Sequence, residues 1–229
     1  MAMESFYYAF LLLASLSIPL IRSFEPLIRF WKKWPPLFAG ILVMMLVFIP
    51  WDILFTQHGV WSFNHRYVLG LYLFGLPVEE WLFFVVISYV IVFTYEVFRY
   101  FLPRLAFPRL SFWISIVLGL FFVSVGLLNT GRTYTLVVML LTGFLALLQP
   151  VLGTHKKFLS HFYFTYLVML LPFVLVNGAL TGLFSEAPVV SYDDARNLSI
   201  RLFTIPVEDS VYLLGMMFIT FMVYERLKR

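Results

Sequence analysis

Cysteine is absent from these 229 residues, which excludes disulfides, thiolate metal sites and cysteine nucleophiles. Charge is scarce: Asp, Glu, Lys and Arg make up 12% of the chain against 62% hydrophobic residues. That leaves too little polar surface to cover a soluble globule. No GxGxxG follows a strand and there is no P-loop or HExxH, so nucleotide, flavin and zincin readings fail. No lysine interrupts an apolar run; those at 32, 33, 156, 157 and 228 all fall between runs, so a retinal Schiff base has no anchor. The four histidines, at 58, 65, 155 and 161, sit near the ends of runs and suit headgroup or loop roles. The net charge of +4 comes from basic residues in short segments between the runs, as topology signals do, and implies no nucleic-acid partner.

What remains is apolar sequence in lengths that cross a hydrocarbon core of about 30 Å. Seven spans are expected, at 5–21, 37–50, 77–97, 111–128, 134–150, 160–177 and 206–224. Lipid-exposed backbone must satisfy its own hydrogen bonds, so the spans should be helices of an all-α integral membrane protein, in one domain covering 1–229. Prolines at 35, 36, 77, 108 and 206 stand at or just before helix starts, where a missing N–H costs nothing, while Pro19 and Pro50 mark ends. The leading apolar stretch lacks a basic n-region and is bracketed by Glu4 and Arg22, which favours a first spanning helix over a secretory signal.

Charge alternates between connections. Arg22, Arg29, Lys32 and Lys33 in the first, Arg99, Arg104 and Arg109 in the third, Lys156 and Lys157 in the fifth, and Arg226, Lys228 and Arg229 in the tail mark the cytoplasmic side. Residues 51–76 and 178–205 are charge-balanced and should face outward, giving an outside N-terminus and a cytoplasmic C-terminus in the cell (inner) membrane.

Two short stretches stand out. "LPVEEWLFF" (76–84) places Glu79 and Glu80 just after a proline, and "IPVEDSVYL" (205–213) places Glu208 and Asp209 in the same frame 129 residues later. The same offset aligns Pro77 with Pro206, Phe83 with Tyr212, Tyr95 with Tyr224 and Glu96 with Glu225. It carries span 5–21 onto 134–150, so repeat one (about 5–98, helices 1–3) corresponds to repeat two (about 134–228, helices 5–7), with helix 111–128 as connector. Helices 1 and 5 both have odd order, so the 3+1+3 repeat is parallel and both acidic motifs lie at one depth, where a pseudo-twofold axis can gather them around one cavity.

Acids in the first turn of a helix are ordinary, since the macrodipole favours each by ~0.3 to 1 kcal/mol. Ionising a buried carboxyl in a dry site costs about 4 to 7 kcal/mol, which outweighs that gain. Four crowded acids would also repel as anions, so at least one should hold a proton. A neutral acid in an apolar, aromatic cavity suits proton donation to a hydrophobic substrate, because ring faces and a remaining carboxylate stabilise the cation formed. Trp81, Phe83, Phe84 and Tyr212 lie within about a turn of the acids and are candidate lining residues, although packing and interface belts are their commoner roles. Asn64 stands opposite Asp193 at the 129 offset; both either border the site from their loops or cap those loops. Asp52 reads as a partner of the acids or as an interfacial charge. Glu96 and Glu225 can pair with Arg99 and Lys228 three residues on and read as structural.

The run 51–84 together with 205–225 resembles the membrane-integral lycopene cyclases, in the form where two homologous halves are fused in one chain. The specific elements are the paired P-x-E-E and P-x-E-D motifs, with Trp51, Asp52, Trp61, Phe63 and Asn64. The resemblance implies a non-redox cyclisation of the acyclic ends of lycopene or a related carotenoid to β-ionone rings. It implies no cofactor, in contrast to the flavin of the unrelated soluble-type lycopene cyclases. Glu79 and Glu208 are the first choices for acid and paired base, with Glu80 and Asp209 sharing the proton or orienting them. The bilayer, and other carotenoid enzymes, would be its partners. The competing class is a small proton-coupled transporter or channel, which parallel repeats and intramembrane acids also describe. It would need a hydrated path, for which the spans offer few polar groups. A scaffold for carotenoid enzymes would tolerate loss of all four acids.

Overall fold

A computed structural model describes residues 4–228; Arg229, counted above among the tail's cations, lies outside them. Among the described residues, seven helices are long and apolar enough to cross a membrane. They are α1 (Tyr7–Arg22), α2 (Trp34–Gln57), α3 (Val78–Phe101), α4 (Pro108–Leu128), α5 (Thr133–Val151), α6 (Leu159–Leu180) and α7 (Val207–Leu227). The chain is an all-α membrane protein, as its composition requires.

The second helix departs from expectation. It does not end at Pro50 but runs on to Gln57 with the proline inside it, and Pro19 likewise lies inside α1. A proline removes one backbone bond, but membrane helices tolerate this because neighbouring groups and small local adjustments satisfy the freed carbonyl. The extension matters, since Trp51 and Asp52 now stand on a helix rather than in a loop, and Asp52 is buried at 1% exposure.

Helices α3 and α7 form the centre. Helix α3 packs against α1 and α6, and α7 against α2 and α5, while α4 lies against α5. Small residues set some of these approaches: a Cβ on Gly40 of α2 would come within 2.6 Å of the Thr220 carbonyl oxygen of α7. Helix association in lipid relies on such close backbone contact.

The connections hold short strands. β1 (Trp61–Phe63) pairs antiparallel with β4 (Val190–Tyr192) in the register Trp61↔Tyr192, Ser62↔Ser191 and Phe63↔Val190. This ladder ties the α2–α3 connection to the α6–α7 connection. Two hairpins follow, β2 (Tyr72–Leu73) with β3 (Leu76–Pro77) and β5 (Arg201–Leu202) with β6 (Ile205–Pro206). Each delivers its proline, in extended backbone, to the start of α3 or α7.

At the far ends of α3 and α7 the ion pairs are crossed. Tyr95 donates to Glu225 and Tyr224 to Glu96, each at 2.9 Å. Arg99 reaches Glu225 at 2.8 Å rather than Glu96, and both Lys33 and Lys228 bind Glu96. Of the two pairs expected within a helix, Lys228–Glu225 survives at 3.4 Å. The exchange follows from packing, since Glu96 is buried toward α7, where Tyr224 and Lys228 meet it.

Candidate active site

Successive residues on a helix point about 100° apart. The two acids of each motif therefore meet different surroundings. Glu79 and Glu208 are fully buried. Glu79 Oε1 accepts the Leu69 backbone N–H at 2.6 Å, and Glu208 Oε1 accepts that of Leu198 at 2.7 Å and the Thr135 hydroxyl at 2.6 Å. Both carboxyls thus fasten the preceding loop onto its helix. Their Oε2 atoms have no hydrogen-bond partner among the described residues.

Glu80 and Asp209 instead face a common cavity of about 50 Å³. Glu80 Oε2 accepts the Tyr8 hydroxyl from α1 at 2.7 Å. Asp209 accepts three bonds, from Tyr134 of α5 at 2.6 Å, Tyr192 of β4 at 2.9 Å and Asn177 of α6 at 2.7 Å. Burial, and then the charge of Asp209, push the Tyr192 phenol well above its ordinary range, so it stays a donor. A third carboxyl shares the cavity: Asp52 Oδ1 accepts the Trp61 indole N–H at 2.9 Å, while its Oδ2 is buried without a partner among the described residues.

The walls are aromatic. Phe83, Trp61 and Tyr212 line the cavity, and Tyr212 stacks on Trp51 with ring centroids 5.2 Å apart. The cationic side chains nearest in sequence pair with other acids: Arg66 with Glu4 at 2.6 Å and Glu186 at 3.0 Å, Arg196 with Asp193 at 3.5 Å, and Arg201 with Asp194, the last lying over the Tyr192 ring.

Among the residues singled out from sequence, Glu80, Asp209, Phe83 and Tyr212 meet at this cavity, together with Asp52, Trp61 and Phe63. Glu79 and Glu208 stand behind it. Phe84 is buried against Phe48 and Tyr212, and Trp81 donates to the Leu73 carbonyl at 3.3 Å beside Phe74. Asn64 accepts the Arg66 N–H at 3.0 Å, and Asp193 accepts the Ala195 N–H at 3.0 Å, so both side chains brace their loops. Asp52 is no interfacial charge but part of the cavity wall. The donors Tyr8, Tyr134, Tyr192 and Asn177 were missed. Their signal was polar side chains within or beside apolar runs. Tyr8 and Tyr134 hold corresponding acids but stand 126 residues apart, not 129, so a rigid offset hides the match.

Fold and cavity together define a class, that of polytopic membrane proteins with acid pairs enclosed by aromatic rings. The chain belongs to the lycopene cyclase family, which it matches over residues 5–98 and 131–227. It is similar to a bifunctional lycopene cyclase/phytoene synthase of Neurospora crassa, 34% identical over 55 residues that cover 24% of this chain and 9% of that protein. A protein of the same description from Podospora anserina is 34% identical over 50 residues, covering 22% and 8%. One from Aspergillus oryzae is 29% identical over 56 residues, covering 24% and 10%. The matched stretches thus span a tenth or less of these relatives. No solved structure matches the chain.

Proposed function

We propose that this protein is a lycopene cyclase, an intramolecular lyase that closes the acyclic end groups of lycopene into β-ionone rings without redox change. The observation that carries the reading is the unequal pair of carboxyls on one aromatic cavity: Glu80 with one donor beside Asp52, and Asp209 with three. Charge-assisted hydrogen bonds favour the ionised form of an acceptor, so Asp209 is the better seat for a carboxylate. Glu80, sharing its cavity with the unpartnered oxygen of Asp52, is the better seat for a proton.

In this mechanism Glu80 gives its proton to the terminal double bond of an end group. The cation attracts the next suitably placed double bond and the ring closes. Asp209 removes a proton from a neighbouring carbon, which restores a double bond. One proton enters and one leaves, no electrons are exchanged, and product and substrate are isomers. The faces of Phe83, Trp61 and Tyr212 stabilise the intermediate charge, an effect worth about 2 kcal/mol when desolvated. Glu79 and Glu208 are positioning residues that hold the loops at Leu69 and Leu198 and so set the first turns of α3 and α7.

The reading includes a parallel repeat of residues about 5–98 and 134–228 with α4 as connector. Supporting it, the Leu69–Glu79 and Leu198–Glu208 bonds correspond, and the β1–β4 ladder centres on the corresponding serines 62 and 191. The ladder is flanked by matching bonds from Asn64 N–H to the Val189 carbonyl at 2.8 Å and from Asp193 N–H to the Val60 carbonyl at 2.9 Å. The concentration of Lys and Arg at the opposite helix ends supports an outward-facing carboxyl cavity in the cell membrane. The substrate is soluble only in the bilayer, where any enzymes that supply it or use the product would also meet it.

Expression in lycopene-accumulating cells tests the proposal. The wild-type chain should yield a cyclic carotenoid by chromatography, and Glu80→Gln should leave lycopene. Unchanged pigment with the wild type, at confirmed expression in the membrane, would defeat it.

A further inference from the structure

We infer that the polyene chain of the substrate runs from the carboxyl cavity into a second, apolar cavity between α1, α3 and α6. This inference rests on the cyclase reading. The second cavity measures about 100 Å³ and is walled by Ser15 of α1, Ile87, Val90 and Ile91 of α3, and Met169, Phe173 and other residues of α6. Phe173 lines both cavities and is the partition between them.

Helix geometry sets the two spaces in line. Glu80, Phe83, Ile87 and Ile91 follow one another at three- and four-residue spacing, and so lie on one stripe of α3. Ile91 is eleven residues beyond Glu80, roughly 16 Å along the helix at 1.5 Å per residue. An end group held at Glu80 leaves its stiff hydrocarbon chain to be housed, and this stripe leads it into the depth of the bilayer along apolar side chains.

Phe173 borders both cavities, so the occupant is the substrate's own polyene chain, continuing from an end group held at the carboxyls, rather than a resident acyl chain of the bilayer.

The absence of native cysteine permits a direct test by single-cysteine labelling. Ser15→Cys reports on the cavity; the Ser15 hydroxyl donates within its own helix, to the Leu11 carbonyl at 2.7 Å, so the change is mild. Ala14→Cys, one residue away and exposed, is the control. Each is placed in a Glu80→Gln background, to keep the substrate unconverted, in vesicles with and without lycopene, and labelled with a membrane-permeant maleimide. Lycopene at about ten times its dissociation constant should slow labelling of Ser15→Cys about tenfold and leave Ala14→Cys unchanged. Unchanged labelling at both positions, or equal slowing at both, would overturn the inference while conversion of lycopene by the wild type in the same vesicles leaves the cyclase reading intact. Failure of the wild type to convert lycopene would bring down the cyclase reading and this inference with it. As a second variant, Val90→Trp should fill the cavity and reduce conversion at least about tenfold in protein that still elutes as a folded species; full activity would also overturn it.

Discussion

Exchanging carboxyl for carboxamide separates the two acids of one motif. In Glu80→Gln the amide carbonyl still accepts the Tyr8 hydroxyl, now at 2.7 Å from Glu80, so the fold is kept and the transferable proton is lost. A positioned general acid contributes about 10²- to 10⁴-fold, or roughly 2.7 to 5.5 kcal/mol of barrier. In Glu79→Gln the amide oxygen still accepts the Leu69 N–H, a contact now 2.6 Å long. At most a charge-assisted bond becomes a neutral one, costing about 1.5 kcal/mol and no more than about tenfold in rate. Membranes with equal amounts of each folded variant would be compared by the initial rate of lycopene loss. Glu80→Gln should be the slower by at least about tenfold. If Glu79→Gln proves as slow or slower, the assignment of chemistry to Glu80 is wrong, and the buried acids behind the cavity must be the reacting ones.

Asp209→Asn turns an acceptor of three donors into a group whose own NH₂ opposes one of them, and conversion should fall about 10²- to 10⁴-fold; retention of wild-type rate would remove Asp209 as the base. Gly40→Val would force α2 from the Thr220 carbonyl, lowering stability by about 1 to 3 kcal/mol, and an unchanged thermal transition in detergent would show that α2 and α7 are not in backbone contact. Glu96→Gln removes the carboxylate shared by Lys33 and Lys228, of which Lys228 keeps Glu225, so the same scan should show a loss of about 1.5 to 3 kcal/mol while the surviving folded protein still converts lycopene. Conversion should persist in flavin-depleted membranes; dependence on added flavin would contradict a purely acid-catalysed route.

All seven helices found among the described residues were legible as apolar runs, because a lipid environment imposes both their length and their regular hydrogen bonding. The end of α2 was not: Pro50 is a stop signal in water but is carried within a membrane helix, and this moved Asp52 from a supposed loop to the cavity wall. The acids themselves were legible because they recur in one frame. Which acid of each pair turns inward was not, because adjacent positions differ only by rotation about the helix, and that is set by how Leu69 and Leu198 dock above them. The donors to Asp209 come from α5, α6 and β4 and converge only in three dimensions.

The most direct measurement is the mass of the cyclic product formed in deuterated water. Protonation by an exchangeable carboxyl followed by loss of a carbon-bound proton should give an isomer of lycopene with one deuterium for each ring closed. A product without deuterium, or one differing from lycopene by a pair of hydrogens, would contradict ring closure by the Glu80 and Asp209 carboxyls.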